Sequence, residues 1–350
     1  MRALGFGLLW LILVPFSHAA EHGVVVLQYH HVGDDTPRVT SVTAAELEQH
    51  FAYLKEHDYK VVSLTEAKEL LAQEQVPDKL VSITFDDGWR NVYDNGLEIF
   101  KKYRYPFTIF VNPYLMEQTP RIYMSWEQLR ELTEYGATIA NHSQFHEHMT
   151  WRDIGQDEAA WQQRQLTAIV EAQRVIDDEL GSPQPRLFAY PYGEYDAKLA
   201  KLLAEQDFLA FGQHSGPWGR YTKATEIPRF PASANYANLD TLKTKIGSLP
   251  LPVTAHEPAE MEVASDVEEV NVRLHIAVSD DVQLQRINCF YQGDVIQPNV
   301  DDEGIELTLS QPPIGRSRVN CTLPSRSLSG RFYWYSVPLV RPNEQGRWPD

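Results

Sequence analysis

The sequence predicts an α/β protein in two parts, a parallel β/α unit followed by a small β-sandwich. Three observations carry that prediction. Apolar runs alternate with helix-period segments from about Gly23 to Gly247. The polar residues able to do chemistry follow the apolar runs rather than precede them. Beyond Val270 the pattern changes to short alternating runs broken by Gly, Pro, Asn and Asp.

Taken in order, Val24 to Tyr29 reads as an apolar strand. Thr43 with Glu46 makes a capping box, and Leu47, Phe51 and Leu54 recur at helical spacing through Lys55. Lys60 to Leu64 reads as a strand, and Thr65 opens a helix through Ala72. Leu80 to Phe85 is a β-branched apolar strand, followed by a helix over Val92 to Tyr103 and a strand over Phe107 to Val111. Ser125 with Gln128 caps a helix through Tyr135, which Gly136 stops. Strand Ala137 to Ala140, a long polar helix between Asp157 and Leu180, and strand Arg186 to Tyr190 come next. A helix over Ala197 to Glu205, a strand over Phe208 to Phe211 and a short one around Ile227 to Phe230 complete the series. Periodicity does not say whether such a sheet closes. Closure is favoured because Tyr29 leads to His30, Phe85 to Asp86, Ala140 to Asn141 and His142, and Tyr190 to Pro191. A barrel would gather these on its C-terminal face.

Residues 249–269, rich in Pro, Ala and Glu, read as a linker, and 270–350 as a β-sandwich accessory domain. Alternation sets Phe332 and Trp334 on one face of a strand and Tyr333 and Tyr335 on the other. One face is then core, and the other is free for a glycan or a secretion-machinery partner.

A chain of 350 residues with 43% hydrophobic content supports a real core, and a net charge of -17 argues against nucleic acid or an anionic membrane surface as partner. Residues 1–20 read as an export signal: Arg2, an apolar run from Leu8 to Phe16, and Ser17-His18-Ala19-Ala20 as cleavage site. No other stretch is long enough for stable membrane insertion, so a periplasmic or secreted protein is expected. The two cysteines, Cys289 and Cys321, are most simply a disulfide in such a compartment.

The most informative stretch is Thr84-Phe85-Asp86-Asp87-Gly88. Two adjacent carboxylates at a strand tip repel unless a cation or donors hold them. Alone, this is equally an Asx-turn or a helix cap. A second segment, His142-Ser143-Gln144-Phe145-His146, sets two imidazoles four residues apart, on one side of a helix or tight turn. A carboxylate plus two His with open positions suits a catalytic divalent metal. In the third segment, Pro191-Tyr192-Gly193 turns an apolar strand and offers a backbone N–H to an oxyanion, with Tyr192 as groove wall. Trp89, Tyr114, Trp126 and Trp218 are candidates for stacking on sugar faces.

From about Val24 to Phe230 the chain resembles the polysaccharide deacetylases, carbohydrate esterases of family 4 built on the NodB homology domain. Thr84 to Gly88 fits the first motif of that family, His142 to His146 the second, and Pro191-Tyr192-Gly193 the end of the third. The resemblance implies a distorted (β/α)7 barrel and metal-dependent N-deacetylation of an amino sugar. It implies Asp86 as general base, Asp87, His142 and His146 as metal ligands, and the Tyr192 N–H as oxyanion donor. Two departures stand out. Ala189 occupies the place of the Arg that orients the base, and no late Leu-x-x-His supplies a general acid. Instead, Leu27-Gln28-Tyr29-His30-His31-Val32 resembles the subgroup with rearranged motif order, which includes the periplasmic deacetylase of poly-β-1,6-N-acetylglucosamine. There the acid His lies at the first strand, which gives that role to His30. Pro228-Arg229-Phe230 would return the missing Arg, with Arg229 beside Asp86. The expected function is metal-dependent deacetylation of an N-acetylglucosamine exopolysaccharide, releasing acetate. Peptidoglycan or chitooligosaccharide deacetylation is the alternative within the class, and a non-catalytic carbohydrate-binding scaffold the alternative outside it. The expected cofactor is one divalent ion, Zn first, with Co, Ni, Mn or Fe also accepted by Asp-His-His. Substrate-binding residues are expected at Trp89, Tyr192 and Trp218.

Overall fold

The computed structural model describes residues 20–349 apart from Ile154, so the export signal lies outside the described residues except for Ala20. The first unit is a parallel sheet whose order is Phe230–Pro231, Val24–Tyr29, Leu80–Phe85, Phe107–Val111, Ala137–Asn141, Leu187–Ala189, Leu209–Phe211. Lys60–Val61 pairs with the first half of Leu80–Phe85, and Phe107–Val111 takes over the same edge at Thr84 and Phe85. These strands read as unbroken apolar runs because both their faces are covered. On one side, Tyr29, Phe85 and Phe107 meet Phe51 and Phe100 of the surrounding helices. On the other, Val24, Val26, Phe110, Ala140 and Phe211 fill the interior.

The sheet is not closed by a regular ladder. Between Leu209–Phe211 and Phe230–Pro231 the chain runs irregularly, touching the sheet through isolated bridges from Phe211 to Ile227 and from Val24 to Trp218, while Arg229 N–H donates to His214 O at 2.9 Å within it. The barrel is therefore a distorted one with a seam, and Arg229 sits in the seam.

Both expected capping boxes form: Thr43 with Glu46 on helix Ala44–Glu56, and Ser125 with Gln128 on helix Trp126–Thr133. Two helices went unread, Pro113–Gln118 and Leu239–Ile246. Both are short, and the first opens on a proline.

The expected linker is a correction. Leu249–Pro250 pairs parallel with Phe332–Arg341, and Val253–Glu257 pairs antiparallel with Glu269–Ile276. Strands this short lack a readable period, so tertiary pairing alone defines them. They belong to a β-sandwich. One sheet runs Leu249–Pro250, Phe332–Arg341, Gly315–Pro324, Asn288–Tyr291, Asp294–Ile296. The other runs Val253–Glu257, Glu269–Ile276, Gly304–Ser310, Asn299–Val300. Alternating residues such as Val272, Leu274, Leu307, Val319 and Tyr333 fill the space between them. Cys289 and Cys321 are direct partners across two strands of one sheet and form a disulfide. Trp334, on the opposite face from Tyr333, meets Phe230 edge-on at 5.2 Å, so the sandwich is seated on the barrel seam.

Candidate active site

The strand Leu80–Phe85 ends where backbone geometry turns sharply. Asp87 and Gly88 follow one another at φ 71° and φ 74°. A side chain is disfavoured there, so the Asp87 conformation must be held by its surroundings. At Gly88 an added Cβ would lie 3.0 Å from Val111 Cγ1, at a φ that already strains any side chain. The turn sends the two neighbouring carboxylates to different partners.

Asp86 is fully buried and receives both arms of the equally buried Arg229, Nη1 to Oδ1 at 2.6 Å and Nη2 to Oδ2 at 2.8 Å. Gln28 Nε2 donates to Oδ2 at 2.8 Å. Arg229 is itself fixed by donating to Gly212 O at 2.9 Å and Thr84 Oγ1 at 3.2 Å. His30 Nε2 stands 3.9 Å from Asp86 Oδ2, near but not hydrogen-bonded. Burial would raise the Asp86 carboxyl, but the charge of Arg229, then those of His30 and His142, hold it below its ordinary value.

Asp87 faces the imidazoles. His142 Nε2 and His146 Nε2 each lie 3.2 Å from Asp87 Oδ1, and the three ligand atoms fall within 4.8 Å of one another. The two His are not on a helix. They flank a loop in which Ser143 and His146 take φ 64° and φ 53°. Neighbours hold that loop: Asn112 donates to His142 O and Ser143 O, and Asn141 Oδ1 accepts from Ser143 N–H. His142 Nδ1 donates to Ala189 O at 2.7 Å, which leaves Nε2 with its lone pair toward Asp87. Buried His142 Nε2 and Asp87 Oδ1 make no hydrogen bond, so their lone pairs converge without a donor between them. Trp89 Nε1 donates to the other Asp87 oxygen at 2.7 Å. That donor set, two imidazoles and an oriented carboxylate, fits a divalent cation.

The Pro191–Gly193 turn lies beside this cluster, with Tyr192 at φ 59° and its ring 4.6 Å from that of His146. A cleft of about 430 Å³ opens over the group. Its barrel side carries His30, Asp87, His146 and Tyr192, and its other side Arg316, Ser317 and Arg318 of the sandwich.

Residues 73–211 match the family model described as polysaccharide deacetylase. Over those residues the chain is similar to the polysaccharide deacetylases. Among relatives, the Bacillus subtilis (strain 168) protein YxkH is 25% identical over 184 residues, which is 52% of this chain and 61% of YxkH. The poly-β-1,6-N-acetyl-D-glucosamine N-deacetylase of Escherichia coli (strain K12) is 32% identical over 95 residues, 26% of this chain and 14% of that protein. The chain thus spans under two thirds of either relative. Two solved structures share the deacetylase fold: the Streptococcus pyogenes deacetylase PplD, with TM-score 0.58 and 21% identity, and IcaB from Ammonifex degensii, with TM-score 0.56 and 24% identity. Each match covers 65% of this chain, against 99% of PplD and 98% of IcaB.

Of the expected site residues, Asp86, Asp87, His142, His146, His30, Arg229 and Tyr192 come together on the C-terminal side of the sheet. Trp218 does not. It is buried and bridged to Val24, at the start of the strand whose far end leads to His30, and its ring packs edge-on against Phe211. It is a core residue at the opposite end of the barrel, and its expected role on the substrate is withdrawn. Trp126 packs against the helical core, while Tyr114 is exposed and meets Phe145 edge-on. Sequence reading missed Gln28, Glu194 and Arg316. Gln28 left a signal, as a lone amide in an otherwise apolar strand; Glu194 and Arg316 left none.

Proposed function

We propose that this chain is an exported, metal-dependent N-deacetylase acting on an N-acetylglucosamine-containing polysaccharide, with poly-β-1,6-N-acetylglucosamine as substrate. The observation that carries this reading is the pairing of two adjacent carboxylates with opposite partners, Asp86 on Arg229 and Asp87 on His142 and His146. The substrate is taken from the name of the Escherichia coli relative. The disulfide and the apolar N-terminal run support export. Among the described residues, no helix is long and apolar enough to cross a membrane.

Asp87, His142 and His146 would hold the ion, zinc in this reading. When bound there, it supplies an acidified water and polarises an amide carbonyl. Asp86, kept ionised by Arg229, accepts the proton of the attacking water. Gln28 and Arg229 fix the rotamer of Asp86, so little reorganisation is needed. Water oxygen bonds to the acetyl carbon, and the resulting oxyanion faces the Tyr192 N–H. Protonated His30 gives its proton to the sugar nitrogen as the C–N bond breaks, leaving acetate and a free amine. His30 and Asp86 suit opposite tasks because one is held by a guanidinium and the other is not.

The test is acetate release by the purified protein from poly-β-1,6-N-acetylglucosamine, with chitooligosaccharides and peptidoglycan alongside. Release should stop with chelator and fall about 1,000-fold or more in Asp86→Asn, on the scale of losing a general base. Faster release from peptidoglycan or chitooligosaccharides would replace the substrate, and a bound ion with no release from any glycan would defeat the deacetylase reading.

A further inference from the structure

Glu194 directly follows the Pro191–Gly193 turn and is 1% exposed, yet it gathers donors from three separate parts of the chain. His148 Nδ1 reaches its Oε2 at 2.7 Å, Trp348 Nε1 its Oε1 at 2.7 Å, and Arg316 Nη1 the same Oε1 at 3.2 Å. Arg316 belongs to the β-sandwich, and Trp348 to the segment beyond its last strand. Both therefore reach the catalytic turn from outside the barrel.

We infer that the β-sandwich is a working part of the catalytic site: Arg316 and Trp348, acting through Glu194, position the Tyr192 turn that faces the oxyanion. This rests on the reading of that turn given under Proposed function. Tyr192 at φ 59° occupies a backbone region that disfavours a non-glycine residue, and such conformations persist only where surrounding contacts over-determine them. The contacts here bear on the turn from several directions. Arg316 Nη1 approaches Tyr192 O at 3.4 Å, on the carbonyl side of the residue whose N–H is to be aimed. The His148 ring lies parallel to the Tyr192 ring at 4.1 Å and 7°, while its Nδ1 is tied to Glu194. Gly193 is pressed against Gln213, where an added Cβ would sit 2.5 Å from the Gln213 Cβ. The barrel alone thus supplies Glu194 and His148, and the sandwich closes the set with a charge and an indole.

A buried carboxylate deprived of a donor moves to recover one, and here it would draw on the turn it adjoins. The loss would fall on transition-state stabilisation rather than on ground-state binding, since an oxyanion exists only in the transition state and the intermediate. Arg316 and Trp348 are positioning residues in this account.

The experiment measures hydrogen–deuterium exchange of the 188–196 segment in the full-length protein, beside acetate-release kinetics, for Arg316→Met, Arg316→Lys and Trp348→Phe. Exchange of that segment should rise several-fold in Arg316→Met and Trp348→Phe, with metal content unchanged and the rest of the chain exchanging as in the parent. For Arg316→Met, kcat should fall about tenfold with KM within about twofold, less than outright loss of an oxyanion donor, and Arg316→Lys should recover part of it. Wild-type exchange with wild-type kcat would overturn the inference, and so would a rise in KM alone, which would make Arg316 a sugar-contacting wall. If the unaltered protein releases no acetate, the deacetylase reading fails, and unchanged exchange in both variants would separately refute the brace.

Discussion

On the barrel side of the cleft, Asp86 and Arg229 are fully buried and meet in two charge-assisted bonds, with Gln28 taking a further position on the carboxylate. On the sandwich side, Arg316 and Arg318 are each only partly covered, and Arg316 alone of the two makes an ion pair among the described residues. The difference teaches where chemistry and where adjustment reside. A buried, fully assigned network holds its geometry because each departure leaves a charge or a donor unsatisfied in a low-dielectric interior. Arg316 joins a buried carboxylate to a guanidinium that keeps part of its surface in solvent, so its contact can be weakened without unfolding the barrel.

Breaking the barrel wall should therefore cost most. Arg229→Met leaves the Asp86 carboxylate buried without its cation, and a loss of about 3–5 kcal/mol in unfolding free energy is expected. Acetate release should fall together with stability, while divalent-ion binding, proposed to rest on Asp87, His142 and His146, should persist; calorimetry and metal analysis check the two. Next comes the Cys289–Cys321 disulfide of the sandwich, which closes a 32-residue separation. Replacing both cysteines with serine should cost about 4 kcal/mol through the freed unfolded chain, read by chemical denaturation. It should leave metal binding untouched, because the barrel does not depend on that strand pair.

The smallest effect belongs to His214, which lies between the two walls in the barrel seam. Burial pushes its pKa down to about 4 from an ordinary 6.5. Between those values the unfolded chain binds more protons than the folded one, so stability falls as pH drops from about 6.5 toward 4. The contribution is about 3 kcal/mol by pH 4, and in His214→Gln that part of the acid limb should flatten in unfolding curves taken from pH 7 to pH 4. A variant as acid-sensitive as the parent would place the limb elsewhere.

Much of the barrel was legible because its signals are local. Apolar runs at Val24–Tyr29, Leu80–Phe85 and Phe107–Val111 match strands residue for residue, and the Thr43 and Ser125 capping boxes mark their helices. The clustering of Asp86, Asp87, His142 and His146 was also legible, since each follows a strand of one parallel sheet. Trp218 misled because an indole in a Gly- and Pro-rich segment carries no sign of which end of a barrel it reaches. The segment 249–269 misled because two- and five-residue strands leave no period to read.

The sequence by itself determined the class of fold, the two-part organisation and the residues able to hold a cation, all of which depend on neighbours close along the chain. How the carboxylates divide their partners was expected from the family resemblance alone, and only the tertiary structure supplies the contacts that make the division. Arg229 reaches Asp86 across 143 residues because the seam of the barrel brings it there, and Arg316 reaches Glu194 across 122 because the sandwich seats on that seam. No local pattern encodes such meetings. They are fixed by which surfaces must be buried together, and that is settled only when the whole chain has packed.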